Sequence, residues 1–353
     1  MRLLLCLYLM FSLPAALMAQ LEIEPDLIVD APAGLTSFGS RASLNDHHVV
    51  VDNGFVFDAV NGDFVRRLDL TGATGFTQAS DSDGFGELVV IGLPRAGGLP
   101  SGQTMVFNTV TGEQLHHVTA MDDGPFGRSS RWGSSVSIND KYVAIGDEQA
   151  QAVVFDVETG EQIFEYYTEH LNFGLFADVD LHGDLLAIGS PGRSVDGVHD
   201  PAILLFNLAT GEQLAEITGI DGGRFGANVA LSENLLYTQT DDSILAFNHD
   251  GDLVNSILST EIVPGGAQPF YDSIDYSEGT LRLARYLLTD DFDPFFVGQG
   301  HGIDVFGNLY AESRFINVGT PRQIAVFTIP EPSLNVHVFA IICVIALARV
   351  RVR

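Results

Sequence analysis

The sequence predicts an all-β protein, a closed ring built from one four-stranded antiparallel unit used six times, with material left over for a seventh. Two observations carry this. A short apolar run ending in Val56-Phe57-Asp58 returns as Val106-Phe107-Asn108, Val154-Phe155-Asp156, Leu205-Phe206-Asn207, Ala246-Phe247-Asn248 and Val305-Phe306-Gly307, with the phenylalanines 50, 48, 51, 41 and 59 residues apart. Between these runs lie strands of about five residues separated by turns rich in Gly and Asp, and helical periodicity is almost absent. A unit of this size repeated around an axis makes a β-propeller, so the 353 residues read as one body with two short appendages.

Residues 1–19 have the pattern of a secretory signal peptide. Met1-Arg2 is followed by an apolar stretch from Leu3 to Leu13 and by Pro14-Ala15-Ala16-Leu17-Met18-Ala19, which places cleavage between Ala19 and Gln20. The apolar stretch is shorter than the roughly 20 residues a spanning helix needs. Residues 20–328 then form the propeller. Its first strand, within Glu24 to Asp30, stands before the first Phe-Gly pair as the last strand of each later unit does, so it is expected to pair with the final unit and tie the ring shut.

The fourth unit shows the element order most plainly. Ala177-Asp178-Val179-Asp180-Leu181 is strand a, Leu185 to Gly189 strand b, Ala202 to Phe206 strand c and Gln213 to Ile217 strand d, with turns at His182-Gly183-Asp184 and Ala209-Thr210-Gly211-Glu212. The third unit repeats this from Trp132 to Glu161. Strand b is apolar on both faces, as in Leu88-Val89-Val90-Ile91-Gly92, which predicts burial between neighbouring units. Phe-Gly pairs at 38–39, 173–174 and 225–226 precede strand a, where the ring can wedge between units while the glycine lets the backbone turn. The direct count is six units; Ile324-Ala325-Val326-Phe327 supplies a strand for a seventh.

Residues 329–353 form the second appendage. Pro330-Glu331-Pro332 leads to an apolar run from Leu334 to Ala348 and then to Arg349, Arg351 and Arg353, a hydrophobic helix with a cationic stop. Both cysteines, Cys6 and Cys343, lie in the appendages, so the propeller uses neither disulfides nor thiol chemistry. It is also strongly acidic. The whole chain carries −29, and residues 20–328 alone hold 13 basic and 45 acidic residues, a charge that repels nucleic acid and anionic lipid and attracts cations.

Asp81-Ser82-Asp83-Gly84-Phe85-Gly86-Glu87 reads as an acidic turn between strands a and b of the second unit. Carboxylates at alternate positions, a glycine and a further carboxylate form an oxygen set suited to Ca²⁺, with a plain acidic turn as the alternative. The Phe-Gly pairs, the Ile188-Gly189-Ser190-Pro191-Gly192 run and the Thr-Gly-Glu turns at 111–113, 159–161 and 210–212 resemble the FG-GAP repeats of integrin-α-like propellers. That resemblance covers roughly residues 21–328 and implies a seven-bladed fold and a calcium loop whose acids map onto Asp81, Asp83 and Glu87; Ala79 stands where the family has a further ligand. The C-terminal appendage resembles the PEP-CTERM sorting signal of Gram-negative bacteria, with Asn335 and His337 interrupting the apolar run. It implies processing by an exosortase-type protease and a destination in the cell envelope, at the cell surface or outside the cell.

Other candidates are weaker. Asp290-Asp291-Phe292-Asp293, with His301 beyond, reads as a solvated loop able to hold a cation or meet a partner. His47-His48 and His116-His117 are adjacent residues on strands, whose side chains point to opposite faces and cannot chelate one ion. The sequence has no phosphate-cradling loop, nucleophile elbow or HExxH motif. The expectation is therefore a non-enzymatic binding or scaffold propeller that meets a protein or polysaccharide through the longer loops at 93–103, 120–131, 189–201 and 286–302. The alternative is an extracellular polysaccharide hydrolase or lyase with carboxylates at the channel as acid and base.

Overall fold

The computed structural model describes residues 25–328 apart from 33–37, 40, 53, 74–78, 80, 97–101, 120–130, 148–151, 168–177, 197, 219–223, 259–273, 278–279, 284–285, 289–293, 298–300, 307–308 and 315–322. The expected signal peptide at 1–19, the expected sorting segment at 329–353 and the pair Phe173-Gly174 lie outside the described residues. Every regular element among them is a β-strand, and no described helix is long and apolar enough to cross a membrane.

After β1 (Leu27–Val29), the chain lays down sheet after sheet, each from the inside outward. The first sheet is β2 (Ala42–Leu44), β3 (His48–Val51), β4 (Phe55–Asp58) and β5 (Phe64–Arg67), and the second is β6 (Asp81–Phe85), β7 (Leu88–Leu93), β8 (Gln103–Asn108) and β9 (Gln114–Thr119). The third is β10 (Ser135–Ile138), β11 (Tyr142–Gly146), β12 (Ala152–Asp156) and β13 (Gln162–Tyr166). The fourth is β14 (Val179–His182) and β15 (Leu185–Ser190), then β18 (Ala202–Asn207) and β19 (Glu212–Ile217), with a two-stranded ribbon of β16 (Ser194–Val195) and β17 (Val198–His199) inserted between. The fifth is β20 (Val229–Leu231), β21 (Leu235–Gln239), β22 (Ser243–Asn248) and β23 (Leu253–Leu258). The sixth is β24 (Ile274–Ser277), β25 (Thr280–Leu283), β26 (Tyr286–Leu288) and β27 (Pro294–Val297). The last is β28 (His301–Phe306), β29 (Leu309–Arg314) and β30 (Gln323–Thr328), completed by β1 at its outer edge.

Neighbouring inner strands pack in the order β2, β6, β10, β14, β20, β24, β28 and back to β2, which closes the ring. The expected closure by the first strand holds: Leu27, Ile28 and Val29 pair antiparallel with Val326, Ala325 and Ile324.

The repeated Phe-Asp/Asn ending now has a physical reason. Each phenylalanine is buried, at Phe57, Phe107, Phe155, Phe206 and Phe247. The next residue turns the chain: Asp58 Oδ1 accepts the Val60 and Asn61 amides, Asn108 the Thr111 amide, Asp156 the Thr159 amide and Asn207 the Thr210 amide. Gly307 has no side chain to do this, and Val305-Phe306 is accordingly no third strand. It ends β28, the inner strand of the closing sheet, while the third strand of the sixth sheet is β26. Among the described residues the six sequence units thus span seven four-stranded sheets, and the stretch 286–302, expected as one loop, contains β26 and β27.

The wedge expectation holds where it can be seen. Phe225 is fully buried among Leu205 and Ile217 of the fourth sheet and Leu231 and Phe247 of the fifth, and Phe38 lies among Val326 and Ile324 on one side and Phe57 on the other. Trp132 plays the same part between the second and third sheets. Gly39, Gly133 and Gly226 follow at φ of 74°, 82° and 75°, and a Cβ on Gly226 would meet the Ala202 carbonyl oxygen at 2.8 Å.

Candidate functional site: the axial channel

The inner strands converge on a cavity of about 100 Å³, lined on its polar side by Asp81, Asp83, Asp178, Asp180, Asp275 and Asp304. Strand alternation produces this. Asp81 and Asp83 in β6 share one face, as do Asp178, just ahead of β14, and Asp180 within it, and Ser135 and Ser137 hold the corresponding places on β10.

Each of these side chains bonds to the backbone of the next inner strand. The Val136 amide donates to Asp81 Oδ2 at 2.9 Å and the Ile138 amide to Asp83 Oδ2 at 2.8 Å. The Val179 and Leu181 amides donate to Ser135 Oγ and Ser137 Oγ at 3.1 and 3.2 Å. Val229 and Leu231 donate to Asp178 Oδ2 and Asp180 Oδ2 at 2.8 and 2.6 Å. Val305 donates to Asp275 Oδ2 at 3.0 Å, and Leu44 donates to Asp304 Oδ2. Inner strands of neighbouring sheets share no backbone ladder, so these side chains give acceptors to amides that no neighbouring strand's carbonyl reaches.

Crowding carboxylates here shifts their protonation. Burial pushes Asp83 and Asp178 up to about 7 against the pull of the amides they accept, and Asp180 and Asp304 stand well above the ordinary carboxylate range for the same reason. Asp81 is raised likewise. Neighbouring acids add to the effect: Asp275 raises Asp83, Asp180 and Asp304. Buried Arg282, from β25, places its Nε 3.7 Å from Asp275 Oδ2.

The segment expected as an acidic turn is therefore the inner strand β6, and the turn that follows it is Gly86-Glu87. Asp81 and Asp83 take separate amides, while Glu87 Oε2 accepts from Asn108 Nδ2 at 2.9 Å. Among the described residues no group of three or more His, Cys, Asp or Glu side chains is gathered to hold a metal ion. Asp290, Asp291 and Asp293 lie outside the described residues. The histidines have local duties: His48 Nδ1 bonds Thr109 Oγ1 at 2.9 Å and His116 Nε2 bonds the Val157 carbonyl at 2.6 Å, each joining one sheet to the next.

Sequence reasoning singled out Asp81 and Asp83 and passed over Asp178, Asp180, Asp275 and Asp304. The signal was present in Asp-Val-Asp at 178–180, which repeats the Asp-x-Asp spacing at an equivalent strand. Arg193 was missed as well. It is 8% exposed and braces the ribbon on the fourth sheet, with Nη2 to Asp200 Oδ2 at 2.8 Å and Nη1 to Glu216 Oε1 at 2.7 Å.

A ring of four-stranded sheets around a polar channel defines the class: the chain is a β-propeller. The fold is widespread, with 1242 chains of solved structures matching it. One, from a crystal structure of the mitotic checkpoint complex, has a TM-score of 0.56 and 14% identity, covering 87% of this chain and 92% of that one. BamB from Moraxella catarrhalis gives a TM-score of 0.47 at 11% identity, over 82% of each chain. Likeness at this level speaks to the fold alone. No family model and no curated protein matches the sequence.

Proposed function

We propose that this is an exported, non-enzymatic binding or scaffold propeller of the cell envelope or extracellular matrix. It is sorted through the PEP-CTERM-like segment around Pro330, Glu331 and Pro332 and processed by an exosortase-type protease. The observation that carries the binding reading is the state of the channel. Its carboxylates are engaged with backbone amides of neighbouring strands, and its volume of about 100 Å³ falls below the roughly 300 Å³ at which ligand pockets begin. A polysaccharide hydrolase or lyase needs a free acid and base flanking a sugar, and this channel offers little room for one.

Binding then falls to the face carrying the β7–β8, β9–β10 and β15–β18 connections. The ribbon β16–β17 is its best-defined projection, rigid through Arg193 and with Val198 67% exposed at its tip. A protein or polysaccharide partner is the expected ligand. Replacing residues 194–199 by a short Gly-Ser turn in the full chain is expected to release the protein from the cell surface into the medium without changing its melting temperature. Unchanged retention would remove the ribbon from the binding face, and turnover of any member of a glycan panel by the intact protein would replace this reading with the enzymatic one.

A further inference from the structure

The start of each outer strand repeats a pattern that the turn before it does not need. In sheets two to four the positive-φ glycine of the tight turn is followed by Glu113-Gln114-Leu115, Glu161-Gln162-Ile163 and Glu212-Gln213-Leu214, all exposed. Sheets one and five carry the same order of acid, spacer and apolar residue, from Asp63 to Val65 and from Asp252 to Val254, again exposed. The turn is complete without these side chains. Its bonds come from the Asp or Asn that opens it and from main-chain amides, among them those of Glu113, Glu161 and Glu212, which donate to Thr111, Thr159 and Thr210 Oγ1 at 3.2, 3.2 and 3.3 Å.

The backbone sets the apolar residue outward. Val106 pairs with His116 but Phe107 with Gln114, which leaves Leu115 as an extra, bulged residue, and the same slip bulges Val65, Ile163, Leu214 and Val254 in their sheets. These five side chains are between 37% and 56% exposed. A bulge breaks the ladder to re-aim a side chain, so its return at an exposed apolar residue in five successive sheets marks a feature with a use.

Neighbouring units also join edge to edge. A Cβ on Gly112 would lie 2.7 Å from Arg66 Nη1, one on Gly160 2.7 Å from His116 Nδ1 and one on Gly251 3.3 Å from Ala215 Cβ. Each contact brings the acid after the glycine to the apolar residue before its partner: Glu113 to Val65, Glu161 to Leu115 and Asp252 to Leu214. Acidic and apolar side chains therefore alternate in a band around the outer wall.

We propose that this band docks a cationic amphipathic segment of another protein, its basic residues against the acids and its apolar residues against the bulged side chains. Charge complementarity commits the occupant. A second copy would set the same acids against one another on a chain that carries −29, and anionic polymers meet the same repulsion. The bulged apolar residues favour an amphipathic segment over a purely polar polycation. The band is separate from the ribbon, so this inference goes beyond the binding role already proposed and stands or falls without it.

The test uses the full chain and a fluorescent peptide of leucine and lysine in amphipathic order, with binding read by anisotropy. Leu115→Ser with Ile163→Ser and Leu214→Ser removes the apolar half of the band, and Glu113→Gln with Glu161→Gln and Glu212→Gln removes the acidic half. Asp69→Asn with Asp196→Asn and Asp241→Asn neutralises three exposed acids away from the band as a control. Both band variants are expected to weaken binding about tenfold or more, and the control less than about twofold. A peptide with serine in place of leucine should bind the unaltered protein about tenfold more weakly, which tests the apolar half without any substitution in the chain. Equal losses in all three variants would show general acidity alone and overturn the docking site, as would absence of binding to the unaltered protein. Self-association in sedimentation that the serine variant abolishes would overturn it in favour of a second copy.

Discussion

The inner ring and the outer rim of this propeller join the same sheets by opposite chemistry. Inside, neighbouring strands are tied by carboxylates and hydroxyls that accept amides from the next sheet, as Asp180 does from Leu231 at 2.6 Å. Outside, the tight turn of one sheet is packed against the last strand of the sheet before it: a Cβ on Gly160 would lie 2.7 Å from His116 Nδ1, and one on Gly251 would lie 3.3 Å from Ala215 Cβ. The radius explains the difference. Near the axis the strands come close enough for a short side chain to bridge backbone to backbone, whereas farther out the sheets splay and only a whole turn fills the gap. Inner contacts are therefore single carboxylate or hydroxyl bridges to a neighbouring amide, whereas outer contacts are made by whole turns packed on a neighbouring strand.

The largest effect is expected where the two regions meet, at the wedge. Phe225→Ala removes a ring with no exposure and an edge-on partner in Phe247 at 6.2 Å, and should cost about 3–5 kcal/mol in denaturant unfolding. A loss under about 1 kcal/mol would show that sheets four and five do not depend on it. The inner ring is tested next by two substitutions at one site. Asp180→Ala leaves the Leu231 amide without its acceptor and should cost about 1–3 kcal/mol, whereas Asp180→Asn keeps an oxygen there and should cost less. If both cost the same, the bond to Leu231 contributes nothing.

pH sharpens the same contrast. Asp83 and Asp178 reach about 7 in the folded protein against an ordinary 3.8, so the folded state binds protons more tightly than the unfolded one. Their contribution is complete below about pH 4 and is lost as pH rises through 7. Melting temperature should thus fall by about 4 °C or more between pH 5 and pH 8, and Asp83→Asn with Asp178→Asn should flatten the slope. A rise across that range would contradict the channel's assigned protonation. The smallest effect belongs to the outer rim. Gly160 and Gly211 both sit at positive φ, 71° and 74°, but a Cβ at Gly211 meets nothing within 4 Å. Gly211→Ala should cost about 1 kcal/mol from backbone strain and Gly160→Ala distinctly more, the excess measuring the contact with His116.

Much of the outer architecture was legible because it is local. Asp58 caps a turn only two and three residues ahead, and the buried Phe before it follows from strand alternation, so Phe-Asp/Asn could be recognised along the chain. The closing strand was legible for the same reason, as an orphan last strand placed first. The inner ring was not. Asp-Ser-Asp at 81–83 is compatible with a cation loop or a strand edge, and what separates the two is whether the Val136 and Ile138 amides, 55 residues away in each case, are waiting opposite. Val305-Phe306 was misplaced because it matches the repeat in two positions, and the missing Asp or Asn at Gly307 was the discriminating residue.

By itself the sequence determined the repeat, the strand order within the first five sheets, the wedges at Phe38 and Phe225 and the closure, because each depends on alternation, turn chemistry and spacing within one unit. The tertiary structure alone decided which strand of a unit Val305-Phe306 would be, and that the acidic residues in and beside β6, β14, β24 and β28 would meet around one axis. Those facts arise only when the ring closes and brings together residues that the sequence keeps a full repeat or more apart.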